Sequence, residues 1–205
     1  MIGDASEIAL MKFFQPIEDI AKVRESLSIA KQFDDSDALV GFNSSYKFAL
    51  IIFELGEDSE HSHVVWLKGA PERIWEKCGS LLIEGESKPI DGFYQESYDF
   101  ANRKFALEGE RVLGFARILL SKEDYPRGFK FNLKNPMELP FADGSFQFLG
   151  LISLIDPPKI DVPDAVKKCQ TAGVKVIMVT GDQQLTAASI AKKIGIFTSK
   201  TSLEI

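Results

Sequence analysis

The stretch YKFALIIFELGEDSEHSHVVWLK, residues 46–68, has the pattern of two β-strands joined by a polar loop. Its first run, residues 46–55, is rich in β-branched and aromatic side chains, and its second run, residues 64–68, has the same character. Runs of this kind on either side of a short polar loop are typical of an antiparallel hairpin. We therefore predict that these two runs pair as an antiparallel hairpin.

Outward from the hairpin, helical and strand patterns succeed one another. Apolar spacing and proline or glycine breaks predict helices over residues 4–14, 18–31, 70–78, 94–107, 162–172 and 185–194, and strands over residues 110–120, 146–156 and 174–180. The first part then forms an α+β domain in which helices flank a twisted antiparallel sheet. The helix–strand–helix order that follows indicates part of an α/β domain with a parallel sheet. We predict domains over residues 1–157 and 158–205.

The composition excludes several classes of protein. The chain has 205 residues, of which 45% are hydrophobic, and its net charge of −6 provides no basic face for nucleic acid. No apolar run approaches the roughly 18 to 20 residues that cross a bilayer, so the chain is expected to be soluble alone. Cys78 and Cys169 fit reduced core thiols of a cytosolic protein, each within a helical pattern. His61 and His63 are expected to be exposed loop residues, and we assign no metal site.

The Thr-Gly-Asp sequence at residues 180–182 follows a predicted strand at the edge where open α/β sheets bind ligands. The Thr180 hydroxyl and the first N–H groups of the next helix can hold an anion, and Gly181 permits close backbone approach. Asp182 can bind a ribose hydroxyl or a metal-bound water. The alternative is that these residues only turn a strand into a helix, and the local pattern leaves both interpretations open.

Three other positions combine a cation with features that suit a nucleotide. A strand delivers Lys68, Gly69 leaves space beside it, and a helix begins directly afterwards, so one ammonium can meet a flat or anionic ligand. In a loop rich in glycine, asparagine and serine, Phe42 can stack on a base while Lys47 meets its phosphates. Arg111, at the head of a strand, can clamp a phosphate. The alternatives are an ordinary strand-end lysine, an aromatic core plug and an arginine paired with a neighbouring glutamate.

The sequence Asp156-Pro157-Pro158 ends the apolar strand predicted over residues 146–156. A Pro-Pro pair is stiff and lacks N–H donors, which suits a connection between two domains. We therefore predict a hinge at this point.

In their order along the chain, these motifs resemble the cytosolic part of a type II P-type cation-transporting ATPase. The resemblance is closest to the sodium/potassium- and proton/potassium-transporting α-subunits and covers nearly the whole chain. The similar strings are GDASEIALMK, FNSSYK, KGAPERIWEKC, GERVLGFARILL, YPRGFKF, FLGLISLIDPPK, VPDAVKKCQTAGVKVIMVTGD and LTAASIAKKIGI.

The resemblance implies a role for each candidate residue. The nucleotide-binding domain would use Phe42 to stack on adenine, with Glu7, Lys47, Lys68 and Gly69 around the pocket and Arg111 reaching toward the phosphates. In the phosphorylation domain, which would have a haloacid-dehalogenase-like fold, Thr180 and Gly181 would contact the transferred phosphoryl group and Asp182 the nucleotide. The hinge would be formed by Asp156, Pro157 and Pro158.

The resemblance also implies that these residues are a fragment of a pump. The sequence contains neither the family's phosphorylated aspartate in DKTGT nor its magnesium-binding GDGxND motif, so no catalytic residue is assigned in this chain. The aspartate would lie upstream of Met1, and the apolar run 174–179 would be left exposed without its neighbouring strands. The chain departs from the family at Gly41 and Ala49, where the family commonly has proline and a polar residue, and we expect the pocket to survive with weaker adenine contacts.

The implied partners are those of a membrane pump. The fragment is expected to bind ATP, and the parent would use Mg²⁺ as well. The other domains of the pump and a β subunit would be its protein partners. The parent would hydrolyse ATP through an aspartyl-phosphate, exchange sodium for potassium, and hold this part at the cytosolic face of the plasma membrane.

Two other functions remain as alternatives. A truncated, non-transporting paralogue would bind nucleotide in a regulatory role. A stand-alone haloacid-dehalogenase-type phosphatase would need a nucleophilic aspartate at a strand end, a second two residues later, and a threonine. Asp35 and Asp37 have that spacing, but they follow no apolar strand and precede no threonine.

Overall fold

The fold is described by a computed structural model for residues 5–141, 143–155, 158–181 and 184–197. The chain divides into two compact units, one made of Met1–Phe93 with Leu113–Ile152 and the other of Tyr94–Val112 with Ser153–Ile205. Each unit is described by itself below. The predicted domain boundary at residue 157 lies outside the described residues and stays a prediction.

The secondary structure is mixed α/β with a mostly antiparallel sheet and flanking helices, which confirms the predicted fold class. The strands are β1 (Ser28–Ile29), β2 (Lys31–Gln32), β3 (Leu39–Val40), β4 (Phe48–Glu54), β5 (His61–Gly69), β6 (Cys78–Ile83), β7 (Glu86–Pro89), β8 (Arg111–Ser121), β9 (Lys130–Phe131) and β10 (Phe146–Leu154). The helices are α1 (Ala5–Phe14), α2 (Ile20–Ser26), α3 (Pro71–Trp75), α4 (Gly92–Leu107), α5 (Val162–Thr171) and α6 (Gln184–Lys193). Among the described residues, no helix is long and apolar enough to cross a membrane.

Within the described residues, one sheet contains eight strands in the order β1-β4-β5-β8-β10-β6-β7, with β3 added beside β4. The pairs β1–β4, β3–β4, β4–β5, β5–β8 and β6–β7 are antiparallel. The pair β6–β10 is parallel, and its register shifts between Phe146 and Gln147. The last strand of the sheet along the chain, β10, therefore lies inside the sheet and joins the β6–β7 hairpin to the other strands.

The predicted hairpin of residues 46–68 forms as β4 and β5, with Phe48 opposite Gly69 and Glu54 opposite His63. Alternate residues of β4 are buried, because a strand that is covered on one face places every second side chain in the core. The second strand begins three residues earlier than predicted, at His61. The prediction that His63 is an exposed loop residue is therefore wrong, since its side chain is 1% exposed.

The core of the first unit contains a group of aromatic rings on one side of His63. Phe131 packs edge-on against the His63 ring with 5.2 Å between centroids, and it contacts Phe129 at 5.0 Å. Phe141 and Tyr125 complete this group around Phe131. These rings come from the proline- and glycine-rich stretch after β8, so that stretch covers the sheet although it has little regular structure.

Helix α3 packs on the sheet through Ile74, which is fully buried, and Trp75, whose ring lies 4.9 Å from that of Phe148 in an edge-to-face arrangement. Pro71 begins the helix at the position where a missing N–H has no cost. The helix approaches β8 at Gly114, where a Cβ atom would lie 3.2 Å from the Ile74 Cβ. This short connection fixes the end of β5 relative to the strands beside it.

The second unit contains most of α4 together with α5 and α6. The Gln170 side chain donates a hydrogen bond to the Gly195 carbonyl at 3.0 Å, and the Lys193 ammonium donates to the Glu108 carbonyl. The predicted strand over residues 174–180 is wrong, because this segment has no regular secondary structure. No strand of the described residues pairs with it, and an unpaired strand is not stable in water. Its expected exposure is confirmed, since Val179 is 93% exposed.

The two cysteines differ from the prediction of core thiols in helices. Cys78 lies at the start of β6 and is half-buried, and its thiol donates to the Ile74 carbonyl. Burial raises the pKa of the Cys78 thiol to about 12. Cys169 lies on α5, as predicted, but it is exposed.

Candidate functional site

Glu7 and Lys68 form an ion pair that joins α1 to β5. Lys68 is the penultimate residue of β5, which ends at Gly69 shortly before α3 begins. The side chains are 33% exposed for Lys68 and 49% for Glu7, so water screens the pair and its contribution to stability is at most about 1 kcal/mol. The pair instead holds one ammonium and one carboxylate at a fixed place on the surface of the sheet.

An apolar pocket of about 260 Å³ lies on the same face of β3, β4 and β5 as Lys68. Its floor consists of cross-strand neighbours, because Ala49 lies opposite Lys68 and Ile51 lies opposite Trp66 in the antiparallel register. Side chains directly opposite each other in such a pair share one face of the sheet. The lining comprises Leu39, Val40, Ala49, Leu50, Ile51, Trp66 and Lys68.

Phe42 lies two residues after Val40, in the loop that connects β3 to β4, and its ring is 64% exposed. Hydrogen bonds shape this loop, because the Asn43 side chain accepts from the Ser45 N–H at 2.8 Å and the Tyr46 hydroxyl donates to the Gly41 carbonyl at 2.8 Å. Phe42 is therefore not the core plug of the alternative interpretation. It is a ring held on an ordered loop at the end of a strand that lines the pocket.

Lys47 ends this loop in a left-handed backbone conformation, with φ of 58°. Its N–H donates to the Asn43 carbonyl at 2.7 Å, and its own carbonyl accepts from the Ala70 N–H at 2.9 Å. Left-handed geometry is unfavourable for a residue other than glycine, so the surrounding hydrogen bonds must enforce it. The sequence pattern gave no sign of this conformation at a lysine.

Gly69 has no side chain, and this lets β5 pack directly against the backbone of Lys47 and Phe48. A Cβ atom on Gly69 would lie 2.3 Å from the Lys47 carbonyl oxygen and 2.7 Å from the Phe48 Cα. The interpretation that Gly69 leaves space for a ligand is therefore wrong, because the backbone of Lys47 and Phe48 occupies the space beside it. The glycine instead lets β4 and β5 approach each other at the end of the hairpin that lies next to Lys47 and Lys68.

The other predicted residues belong to the second unit or lie outside the described residues. Arg111 is the first residue of β8, and its side chain is exposed. Thr180 and Gly181 are exposed at the end of the segment that forms no strand, and Pro158 is partly buried. Asp182, Asp156 and Pro157 lie outside the described residues, so their predicted roles stay predictions.

Six residues of the pocket were not among the predicted site residues. They are Leu39, Val40, Ala49, Leu50, Ile51 and Trp66. The period-two pattern of the hairpin contained the signal for them, because Trp66 and Lys68 are two residues apart and so point to the same face. The register between the two strands, which the sequence pattern does not fix, was needed to place Ala49 and Ile51 on that face as well.

Acidic residues that could hold a metal are dispersed. Across the described ranges, no three His, Cys, Asp or Glu side chains come together. Asp35 pairs with Lys130 at 2.6 Å and Asp37 pairs with Lys31 at 2.6 Å, so both carboxylates of the phosphatase alternative are engaged in surface ion pairs.

Comparison with known proteins relates the chain to one family. Residues 1–161 match the family model described as P-type ATPase, cytoplasmic domain N. The potassium-transporting ATPase alpha chain 1 of Xenopus laevis is 43% identical over 96% of this chain, and the sodium/potassium-transporting ATPase subunit alpha-2 of Homo sapiens is 45% identical over 95%. The potassium-transporting ATPase alpha chain 2 of Rattus norvegicus is 42% identical over 97%. The chain spans 18% of the length of each of these relatives.

Proposed function

The chain belongs to the P-type ATPase family, and on that premise we propose that it is the ATP-binding part of a cation pump. The match to the cytoplasmic N domain covers the ion pair of Glu7 and Lys68, the apolar pocket and the loop that carries Phe42. The observation that carries the proposal is the position of Lys68. The ammonium of Lys68 lies at the side of an apolar pocket. It is next to Gly69, where β5 packs closely against the start of β4.

This arrangement suits a nucleotide because the two ends of the ligand need different surroundings. The base is flat and largely apolar, so it gains from the burial of surface against Ala49, Ile51 and Trp66. The phosphates are anionic and gain from ammonium groups such as those of Lys47 and Lys68. Phe42, on its ordered loop, supplies a second ring for stacking.

We assign nucleotide binding alone to these 205 residues. Phosphoryl transfer needs an acceptor held in line with the terminal phosphate, and the sequence has no DKTGT string to provide the family's aspartate. Arg111, Thr180, Gly181 and Asp182 would act on the phosphates in the complete pump. Asp156, Pro157 and Pro158 would form the hinge between its two domains.

The transported ion and the partners follow from the relatives. Relatives of both the sodium/potassium and the potassium type match at similar identity, which supports monovalent cations, and we propose sodium/potassium exchange. A β subunit and the other domains of the pump, at the cytosolic face of the plasma membrane, would be its partners. Mg²⁺ would enter with the nucleotide phosphates, and we assign it no residue of this chain.

Displacement of a fluorescent trinitrophenyl-ATP by ATP tests nucleotide binding by the purified chain. We expect Lys68→Ala to weaken ATP binding by about tenfold, because one charge-assisted contact is lost. We expect Phe42→Ala to weaken it by a similar factor through the loss of stacking.

Matched controls separate these effects from general changes to the surface. Phe33→Ala removes another exposed phenylalanine, and Lys22→Ala removes an exposed lysine of α2. Both should bind ATP as the wild type does. Equal affinity for all five proteins would refute the proposed site, and absence of displacement from the wild type would refute the proposed function.

A further inference from the structure

A second cavity, of about 140 Å³, lies where the start of β4, helix α3 and the loop before β10 meet. It shares no lining residue with the apolar pocket beside Lys68. Phe48 lines this cavity and its neighbour Ala49 lines the other pocket, because adjacent residues of a strand point to opposite faces. The cavity is therefore a separate feature, which the proposed nucleotide site does not use.

Two cations line the cavity, Arg73 of α3 and Lys77, which follows the helix by two residues. The Lys77 ammonium lies 5.7 Å from the centroid of the Phe48 ring, a distance at which a ring face attracts a cation. The Lys77 side chain is only 21% exposed. Its backbone is fixed as well, because its carbonyl accepts from the Gly144 and Phe146 N–H groups at 3.0 and 3.2 Å. One ammonium is therefore held in place at the wall of the cavity.

Each of these cations is paired with a carboxylate of the protein itself. Lys77 donates to Oδ1 of Asp143 at 3.3 Å, and Arg73 donates to Oε2 of Glu76 at 3.2 Å. The Asp143 side chain is 83% exposed and that of Glu76 is 62% exposed, so both carboxylates lie in contact with water. Exposed ion pairs contribute little to stability, so a carboxylate from outside can replace the Asp143 side chain at low cost. The Asp143 carboxylate thus shows which chemical group the ammonium accepts.

The rest of the lining suits a short apolar body. Tyr46 and Phe48 contribute rings whose centroids are 5.0 Å apart, and Pro136 and Met137 contribute aliphatic surface. A methionine side chain is flexible and adapts to the shape of what it contacts. The volume is below the roughly 300–1,000 Å³ of clefts that hold drug-sized ligands, so the occupant must be small.

We propose that this cavity is a binding site for a small monocarboxylate with an apolar body, whose carboxylate replaces that of Asp143 on Lys77 and reaches Arg73. One negative charge fits better than two, because Glu76 and Asp143 remain nearby and repel a doubly charged group. The apolar body packs against the ring of Phe48. The site does not depend on the nucleotide site and would stand if the chain bound no ATP.

Titration of the isotope-labelled 205-residue chain with phenylacetate, followed by NMR, tests this site. We expect saturable changes in the amide signals of residues 73–77 and 143–146. Phenylacetamide has the same shape without the charge, and it should bind about tenfold more weakly because hydrogen bonds to charged groups are the stronger ones. Phenyl phosphate, which is doubly charged at about pH 8, should also bind more weakly than phenylacetate.

Two variants change the affinity in opposite directions. Lys77→Met keeps an apolar side chain at this position and should weaken phenylacetate binding by about tenfold. Asp143→Asn removes the competing carboxylate and should strengthen binding by about threefold. Lys88→Met is the matched control, because Lys88 is also ion-paired, with Glu86 at 2.9 Å, but lies in β7 outside the cavity. This control should bind phenylacetate as the wild type does.

The outcomes decide the proposal. Charge-dependent binding that Lys77→Met weakens and Asp143→Asn strengthens supports it. Absence of a saturable change with phenylacetate overturns it, and so do equal binding of phenylacetamide, tighter binding of phenyl phosphate, or signal changes confined to residues 49–51 and 66–68 of the apolar pocket. If Lys77→Met fails to fold, Asp143→Asn still decides, since its exposed side chain is not needed for packing and an unchanged or weaker affinity would refute the competition. Because no measurement uses ATP, failure here is distinct from failure of nucleotide binding.

Discussion

Gly69 lies opposite Phe48 across the β4–β5 ladder, so close that a Cβ atom on Gly69 would approach the Phe48 Cα to 2.7 Å. A Cβ atom cannot lie so close to another carbon atom without a shift of one strand. Because Gly69 has no side chain, β5 can pack closely against β4 at Phe48, directly after Lys47. This contact sets the spacing between β4 and β5, the two strands that form the floor of the pocket.

Gly69→Ala should therefore lower the free energy of unfolding by about 1–3 kcal/mol or more, because the added methyl group forces the strands apart. Urea denaturation followed by tryptophan fluorescence measures the change. Gly56→Ala is the control, since a Cβ at Gly56 would meet no atom within 4 Å. A loss of stability equal to that of the control would show that the strands are farther apart than described.

Lys47→Gly should raise the free energy of unfolding by up to about 1 kcal/mol. Glycine removes the cost of roughly 1–2 kcal/mol for the left-handed conformation, and the greater freedom of the unfolded chain returns part of it. The same change should weaken ATP binding, because an ammonium is lost. Lys47→Met separates the two effects, since it should weaken binding without raising stability, and a gain of stability in Lys47→Met would contradict this account.

His63 should make the stability of the fold depend on pH. Burial lowers the pKa of His63 below its ordinary value of 6.5, and the nearby Glu54 carboxylate only partly opposes this. As the pH falls below about 6.5, the unfolded chain therefore binds a proton that the folded chain still excludes, so the free energy of unfolding decreases. The slope cannot exceed about 1.4 kcal/mol per pH unit for one proton.

Urea denaturation between pH 5 and pH 8 measures this dependence. His63→Leu should remove the decrease below about pH 6.5, where the unfolded histidine gains its proton. His61→Gln should keep it, because the chain has two histidines and this variant retains His63. If His61→Gln removed the decrease and His63→Leu kept it, the pH dependence would come from His61 and this account would be wrong.

Val179→Ala should change the free energy of unfolding by less than about 0.5 kcal/mol, because Val179 is 93% exposed in a segment without regular structure. Val166→Ala in α5 is the matched comparison, and its buried side chain should cost about 1–2 kcal/mol. Similar losses in both variants would mean that residues 174–180 are packed as a strand.

Iodoacetamide should modify Cys169 before Cys78. A pKa of about 12 leaves roughly one Cys78 thiol in ten thousand ionised at pH 8, and the thiolate is the reactive form. Cys169 is exposed on α5. Mass spectrometry of labelled peptides measures the order, and Cys169→Ser should remain almost unlabelled until denaturant is added. Fast labelling of Cys78 in the folded Cys169→Ser chain would contradict its burial.

The regular elements could be predicted from the sequence where one local pattern decides them. The hairpin of β4 and β5 and the long helix α4 follow from alternation and helical spacing, and each was placed to within a few residues. The segment 174–180 has an equally clear β-branched pattern and forms no strand. The difference lies in pairing, because a strand depends on a neighbour that its own sequence does not contain.

The candidate site shows the same division. Lys68 and Phe42 could be singled out because a cation at a strand end and an aromatic in a polar loop are local features. The contact of Glu7 with Lys68 could not be derived from spacing, since it joins residues of α1 and β5 that are distant in the chain. The family resemblance placed both residues at one pocket but did not predict the ion pair. Ala49 carries no polar group to draw attention, although its place opposite Lys68 makes it part of the floor.

The strand order has a consequence for the synthesis of the chain on the ribosome. Hairpin β6–β7 emerges early but joins the rest of the sheet only through β10, in which Phe148 pairs with Leu81. Until residue 148 has been made, the edge of β6 stays open to any other strand. Contacts so distant in sequence slow folding, so we expect the pairing of β6 with β10 to be a late step in the folding of the sheet.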